Sequence, residues 1–233
     1  MADHNRIVKC NEEGFLMAES IDSRVLVRRH PERGQYDLKT IASILDEALY
    51  CHVSVVRHGT PVIIPTLHVR IENQLYFHGA PAAGLFRGLG TGQEVAVAVT
   101  LLDGLVLARS AYNHSLNYRS VVVIGAPYEV VDMEVKNQVL EALVEHVVAG
   151  RWRDARPPSD QELKATRVFG IALETASAKI RSGPPSDDAK DMDLPVWAGV
   201  VPLKLTAGLP LPDPVQDSSL PQPSYLTLLR ERF

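Results

Sequence analysis

Between positions 50 and 131, apolar residues recur at every second place in one short run after another. A side-chain period of two belongs to β-strands whose two faces meet different surroundings. Tyr50-Cys51-His52-Val53-Ser54-Val55-Val56-Arg57 is the first such run. His58-Gly59 turns the chain into a second run over 60–71, and Glu72-Asn73 into a third over 74–78. A strongly apolar run covers 94–102. Asp103-Gly104 then reads as a hairpin turn, because both central positions of a two-residue loop favour positive φ. Runs over 105–112 and 118–131 complete a set of six. Six strands joined by tight turns predict an antiparallel sheet. Closing them into a small barrel removes exposed edges, and a sandwich is the competing architecture. Ala96 and Ala98 alternate with Val95, Val97 and Val99, so this strand is apolar on both faces. It is expected to be covered on both sides, with a second subunit as one cover.

The predicted helices are few and peripheral. Ile41, Ile44, Leu45 and Ala48 fall at helical spacing behind Asp37, a candidate N-cap. A short helix is predicted over 81–89. Asp132 caps a third, whose stripe is Val135, Val139, Leu143 and Val147. Ser159 and Glu162 fit a capping box, and 166–173 reads as a strand returning to the sheet. Three regions follow: a polar extension over 1–35, a periodic domain over 36–182, and a C-terminal extension over 183–233 that holds nine of the sixteen prolines. Proline resists both ladders and helices, so an extended tail is expected. Lys and Arg number 24 against 28 Asp and Glu, a net charge of -4, which argues against a nucleic-acid partner. No apolar run approaches the length of a membrane span. The first ten residues lack the pattern of a secretory signal. Cys10 and Cys51 make neither a disulfide framework nor a zinc spacing. A reduced cytoplasmic setting is the expectation.

Three segments are candidates for chemistry. In Phe77-His78-Gly79-Ala80-Pro81 a strand gives way to a helix start, whose free N–H groups suit a phosphate, and Arg87 lies two turns on. An ordinary strand–turn–helix connection is the simpler reading. In Asn117-Tyr118-Arg119-Ser120, Arg and Ser are phosphate donors. Alternation sends them to opposite faces, so one ligand meets both only at a bend or a subunit boundary. The simpler reading is a strand entry with Arg119 in a salt bridge. In Pro65-Thr66-Leu67-His68 a half-polar face suits either a ligand groove or solvent. The eight histidines form no metal-ligand spacing, so no metal site is expected.

These segments together resemble the flavin-nucleotide-binding branch of the pyridoxamine 5'-phosphate oxidase-like superfamily, related to the nitroimidazole-resistance flavoproteins. The matching stretches are Pro61-Val62-Ile63-Ile64-Pro65-Thr66, Leu75-Tyr76-Phe77-His78-Gly79-Ala80, Val99 through Ser110, and Asn117 through Gly125. Ser177-Ala178-Lys179-Ile180-Arg181-Ser182-Gly183-Pro184-Pro185 and Trp197-Ala198-Gly199-Val200-Val201-Pro202-Leu203 continue the series in order. The resemblance implies a mainly β chain with peripheral helices, folded as a six-stranded antiparallel split β-barrel, and a homodimer with FMN at the subunit interface. It places the FMN phosphate near the His78-Gly79-Ala80 turn, Arg87 and the Tyr118-Arg119-Ser120 strand, and Pro65, Thr66 and Asn117 of the candidate segments complete the expected cofactor contacts. Ala80 stands where relatives often have Ser, which removes one hydroxyl contact to phosphate. Two functions are open: an FMN-dependent oxidoreductase acting on a small electrophile, with NADH or NADPH as candidate donor, or a flavin-binding or sensing protein without turnover. Deazaflavin and haem also occur in relatives of this fold.

Overall fold

The computed structural model describes residues 6–10, 16–217 and 219–233. Near the N-terminus β1 (Arg6–Cys10) and β2 (Leu16–Ser20) pair with each other. After β3 (Gly34–Gln35) comes α1 (Leu38–Glu47), capped as its sequence indicates: the Asp37 carboxylate accepts from the Thr40 N–H at 2.8 Å. The alternating runs then become β4 (Tyr50–Arg57), β5 (Thr60–Leu67), β6 (Val69–Ile71) and β7 (Gln74–Gly79). The single strand expected over 60–71 is broken at His68, which leaves the ladder and is wholly buried. A six-residue helix, α2 (Gly84–Leu89), starts later than expected, because Pro81 lies in the turn before it.

The expected hairpin at Asp103-Gly104 is absent. β8 runs unbroken as Val95–Leu107 and pairs along its length with β9 (Ser115–Gly125). Leu102 faces Tyr118 and Gly104 faces Asn117, so Asp103 is the extra residue of a β-bulge. A glycine is needed there for a different reason: β13 (Gly199–Pro202) passes so close that a Cβ on Gly104 would meet a Val200 methyl at 3.0 Å and the Val201 carbonyl at 3.1 Å. The chain reverses instead through a 3-10 turn over Ala111–Asn113.

β10 (Tyr128–Val130) and α3 (Met133–Val147) follow, with Asp132 accepting from the N–H groups of Glu134 and Val135. The capping box opens α4 (Asp160–Lys164) as expected. Then come β11 (Arg167–Ala172) and β12 (Ala176–Arg181); the latter, not anticipated from the sequence, stands between β3 and β9. Seven strands form one antiparallel sheet in the order β3-β12-β9-β8-β4-β5, with β13 added against β8. Four form another, β10-β11-β7-β6. The chain is thus mainly β with antiparallel sheets, but it carries more than the six strands expected.

One core lies between the sheets, built from alternate residues such as Val53, Val97, Val121, Phe77 and Phe169, with Ile41, Ile44 and Leu45 of α1 beside them. A second, smaller core puts Val69, Val130 and Val168 against Val139 and Leu143 of α3. The proline-rich tail is not wholly extended. It supplies β13 and ends in α5 (Tyr225–Arg232). Arg232 donates to the Asp46 carbonyl at 3.3 Å, and Arg151 donates to the Tyr225 hydroxyl at 2.8 Å. No helix among the described residues is long and apolar enough to cross a membrane.

Candidate functional site

Of the ten residues singled out from the sequence, eight fall into two groups. β7 delivers His78 and Gly79 to the turn that begins at Ala80, and α2 carries Arg87 just beyond. Gly79 serves packing: a Cβ there would lie 2.1 Å from the Phe86 ring, which fills the main core. Arg87 is exposed, and among the described residues its guanidinium donates only to the Ala82 carbonyl, at 2.7 Å. A second guanidinium, missed in the sequence, shares this turn. Arg57 ends β4 and presses on α2 so closely that a Cβ on Gly84 would stand 2.6 Å from its Nη1. Only the tertiary packing of α2 on β4 brings it there. Among the described residues neither Arg57 nor Arg87 has a carboxylate partner.

Pro65 and Thr66 stand at the end of β5, on opposite faces. Pro65 is exposed beside His52, while Thr66 is half-buried on the side of Val62 and Ile64.

The second group sits on β9, separated from β5 by β4 and β8. Arg119 is already neutralised. Its Nε and Nη2 donate to Asp103 at 3.0 and 2.7 Å, and its two terminal nitrogens donate to Glu47. The bulge aims the Asp103 carboxylate, and the end of α1 supplies Glu47. These partners hold the guanidinium pKa well above its ordinary value. The salt-bridge reading of Arg119 is the one the structure bears out. Asn117 is committed as well: its side chain accepts from Arg181 and donates to the Gly183 carbonyl at 3.1 Å, anchoring the start of the tail. Ser120 donates to the Lys179 carbonyl at 3.2 Å and keeps its acceptor lone pairs. Tyr118 is partly exposed. Arg109 is paired with Asp187 at 2.9 Å.

Three histidines are withdrawn from solvent. His68 Nε2 bonds the Leu45 carbonyl at 3.0 Å, and His146 Nε2 bonds the Ala48 carbonyl at 2.8 Å. Together they occupy the open carbonyls at the end of α1. Burial lowers the His68 pKa to about 4. His78 differs: its Nδ1 is buried without a partner, and burial lowers its pKa. Cys51 is sealed in the core, its thiol pushed up to about 12 by burial. Beside His78 lies a cavity of about 520 Å³, walled by α3 and the loop that follows it. Among the described residues no cluster of three or more His, Cys, Asp or Glu could hold a metal ion.

The family described as pyridoxamine 5'-phosphate oxidase matches residues 37–180. Among solved structures, the flavocytochrome Anf3 of Azotobacter vinelandii is similar at 37% identity and a TM-score of 0.85, over 89% of this chain and 96% of that one. An FAD and haem binding protein of Mycobacterium smegmatis is similar at 32% identity and a TM-score of 0.81, over 85% and 97%. A Bacteroides thetaiotaomicron protein named for 5-nitroimidazole antibiotic resistance is 23% identical, with a TM-score of 0.54 over 63% and 86%, a likeness of fold alone. No curated protein matches the sequence.

Proposed function

From the premise that this chain belongs to the pyridoxamine 5'-phosphate oxidase family, we propose that it is a flavin-binding redox protein that works as a homodimer and carries haem as a second group. One observation carries this reading. The likeness to the flavocytochrome and to the FAD and haem binding protein extends over 89% and 85% of the chain, beyond the matched family segment at 37–180 and into the C-terminal extension. The split-barrel description belongs to the same proposal, since the two sheets enclose the main core between them.

The residues present fit a flavin nucleotide, with its phosphate end at the first of the two segments that the sequence offered, the turn before α2. Arg57 and Arg87 are the uncommitted cations at the turn before α2, whereas Arg119 is satisfied by carboxylates. Two guanidiniums suit a pyrophosphate, which favours FAD over the FMN expected from sequence. The β9 group, with Tyr118 and the Ser120 oxygen, lies across the large sheet from this turn. One flavin meets both groups most simply when a second copy packs on that sheet. The outer face is ready for it: Tyr50, Ile63, Leu67 and Val122 are exposed there. When bound, the flavin supplies electron and hydride transfer, and the protein supplies binding, orientation and exclusion of water. Arg57 and Arg87 hold the phosphates, and the sheet face with its small Ala96 and Ala98 leaves room for a flat ring. A small electrophile as acceptor, with NADH or NADPH as donor, remains part of the proposal.

Acid release of the cofactor from purified protein, followed by chromatography, tests it. FAD is expected. Recovery of FMN alone would overturn the dinucleotide assignment. Absence of flavin even after reconstitution would overturn the function. A flavin that stays oxidised with excess NADH and NADPH would exclude both donors.

A further inference from the structure

The cavity beside α3 has a composition that the flavin does not account for. One face of α3 lines it with Leu140, Leu143, Val144 and Val147, and Leu67 and Trp152 complete an apolar wall. At about 520 Å³ it falls within the range of small-molecule sites, roughly 300–1,000 Å³. It holds one imidazole, His78. The side chain of His78 has no hydrogen-bond partner among the described residues, and its Nδ1 is shut away from solvent. The other two withdrawn histidines are bonded to backbone carbonyls at the end of α1. An uncharged imidazole is the form that ligates a metal, and burial keeps His78 in that form at neutral pH.

The cavity also has a charged mouth. Arg156 is held there by both oxygens of Glu162, at 2.8 and 2.9 Å. Arg151 has no such compensation. Its Nη1 donates to the Tyr225 hydroxyl, and no carboxylate lies within ion-pair distance among the described residues. An apolar wall, one free imidazole and one uncompensated guanidinium at the rim match a flat apolar macrocycle with a bound metal and peripheral carboxylates. Haem iron is commonly held by a histidine from one side.

Building on the haem half of the proposed function, we propose that this cavity is the haem site, with His78 as a ligand of the iron and Arg151 as the partner of a propionate. Leu143, Val144 and Val147 of α3 then cover one face of the macrocycle. The tail takes part through Tyr225, which fixes the Arg151 guanidinium at the rim.

The test titrates the full-length, flavin-loaded protein with hemin and follows the Soret band. Wild type, His78→Ala, Arg151→Gln and Val144→Trp are compared, with bound flavin measured in each. The expected result is a histidine-ligated spectrum in wild type. His78→Ala should lose affinity by about tenfold or more and regain the wild-type spectrum when free imidazole is added. Val144→Trp should exclude haem while keeping its flavin. Arg151→Gln should weaken hemin but leave hemin dimethyl ester unchanged. Protoporphyrin IX, which lacks iron, should bind equally to wild type and His78→Ala. A wild-type protein that keeps flavin but takes no haem would overturn the haem half of the proposed function. Wild-type affinity and spectrum in both His78→Ala and Val144→Trp would place the haem elsewhere and overturn this assignment alone.

Discussion

His68 shows how far a single side chain can differ from what its neighbours in sequence suggest. On a strand that alternates, it should share a face with Thr66 and Arg70. The chain instead leaves the ladder at this point and buries the ring completely, with Nε2 on the Leu45 carbonyl. The sequence carries no signal for this, because the partner is a helix end twenty-three residues away. Desolvation is the largest cause of its low pKa, and nearby His146 lowers it further. A pKa of about 4 in the folded chain, against about 6.5 unfolded, means that the unfolded state binds the extra proton. Stability is therefore fully present above pH 6.5 and is lost as pH falls towards 4, by about 3 kcal/mol at most for this one group. Urea unfolding at pH 7.0 and pH 5.0 should show the loss. His68→Gln should start lower at pH 7.0 and fall less on acidification. Equal slopes in the two proteins would remove His68 from the account.

At the scale of elements, the bulge in β8 is where local turn chemistry and tertiary pairing compete. Asp103-Gly104 has the composition of a hairpin loop. The apolar alternation on either side, however, lets one long strand pair with β9 throughout. The extra residue then points its carboxylate at Arg119, while Glu47 reaches the same guanidinium from α1. Most strands, the Asp37, Asp132 and Ser159 caps and the Val139 and Leu143 centre of the α3 stripe were legible, because periodicity and capping are local properties, whereas Val135 of that stripe is exposed and Lys136 is buried. β12 was missed because Ala176, Ser177 and Ala178 offer no alternation: all three are buried. The neutralised state of Arg119 was legible only as one of two readings, since nothing local distinguishes a phosphate from a carboxylate partner. The mutational expectation changes accordingly. Arg119→Ala should lower the melting temperature by removing a partly exposed clamp worth about 1–2 kcal/mol, with flavin affinity retained. Arg87→Ala should weaken flavin binding by about tenfold with an unchanged melting temperature. The reverse pattern, read by calorimetry and flavin titration, would restore Arg119 as the phosphate residue.

For the whole molecule, the outer face of the large sheet and the tail matter most. Tyr50 and Ile63 are 56% and 66% exposed on adjacent strands, more than a lone sheet ordinarily leaves to water. A dimer through this face should appear by light scattering at micromolar concentration. Ile63→Glu with Val122→Glu should convert it to monomer and release the flavin together. A monomeric wild type that retains flavin would show the cofactor site to be complete in one chain. The tail, by contrast, is part of the fold: Asn117 and Arg181 fix its start, and β13 extends the sheet along β8. Leu105, Val106 and Leu107 are paired with that strand. Without it their backbone donors and acceptors would form a bare apolar edge, a template for another chain. Proteolytic clipping near Gly183 would thus convert a well-behaved protein into one that precipitates. The shelf life of a preparation would depend on keeping its last fifty residues intact.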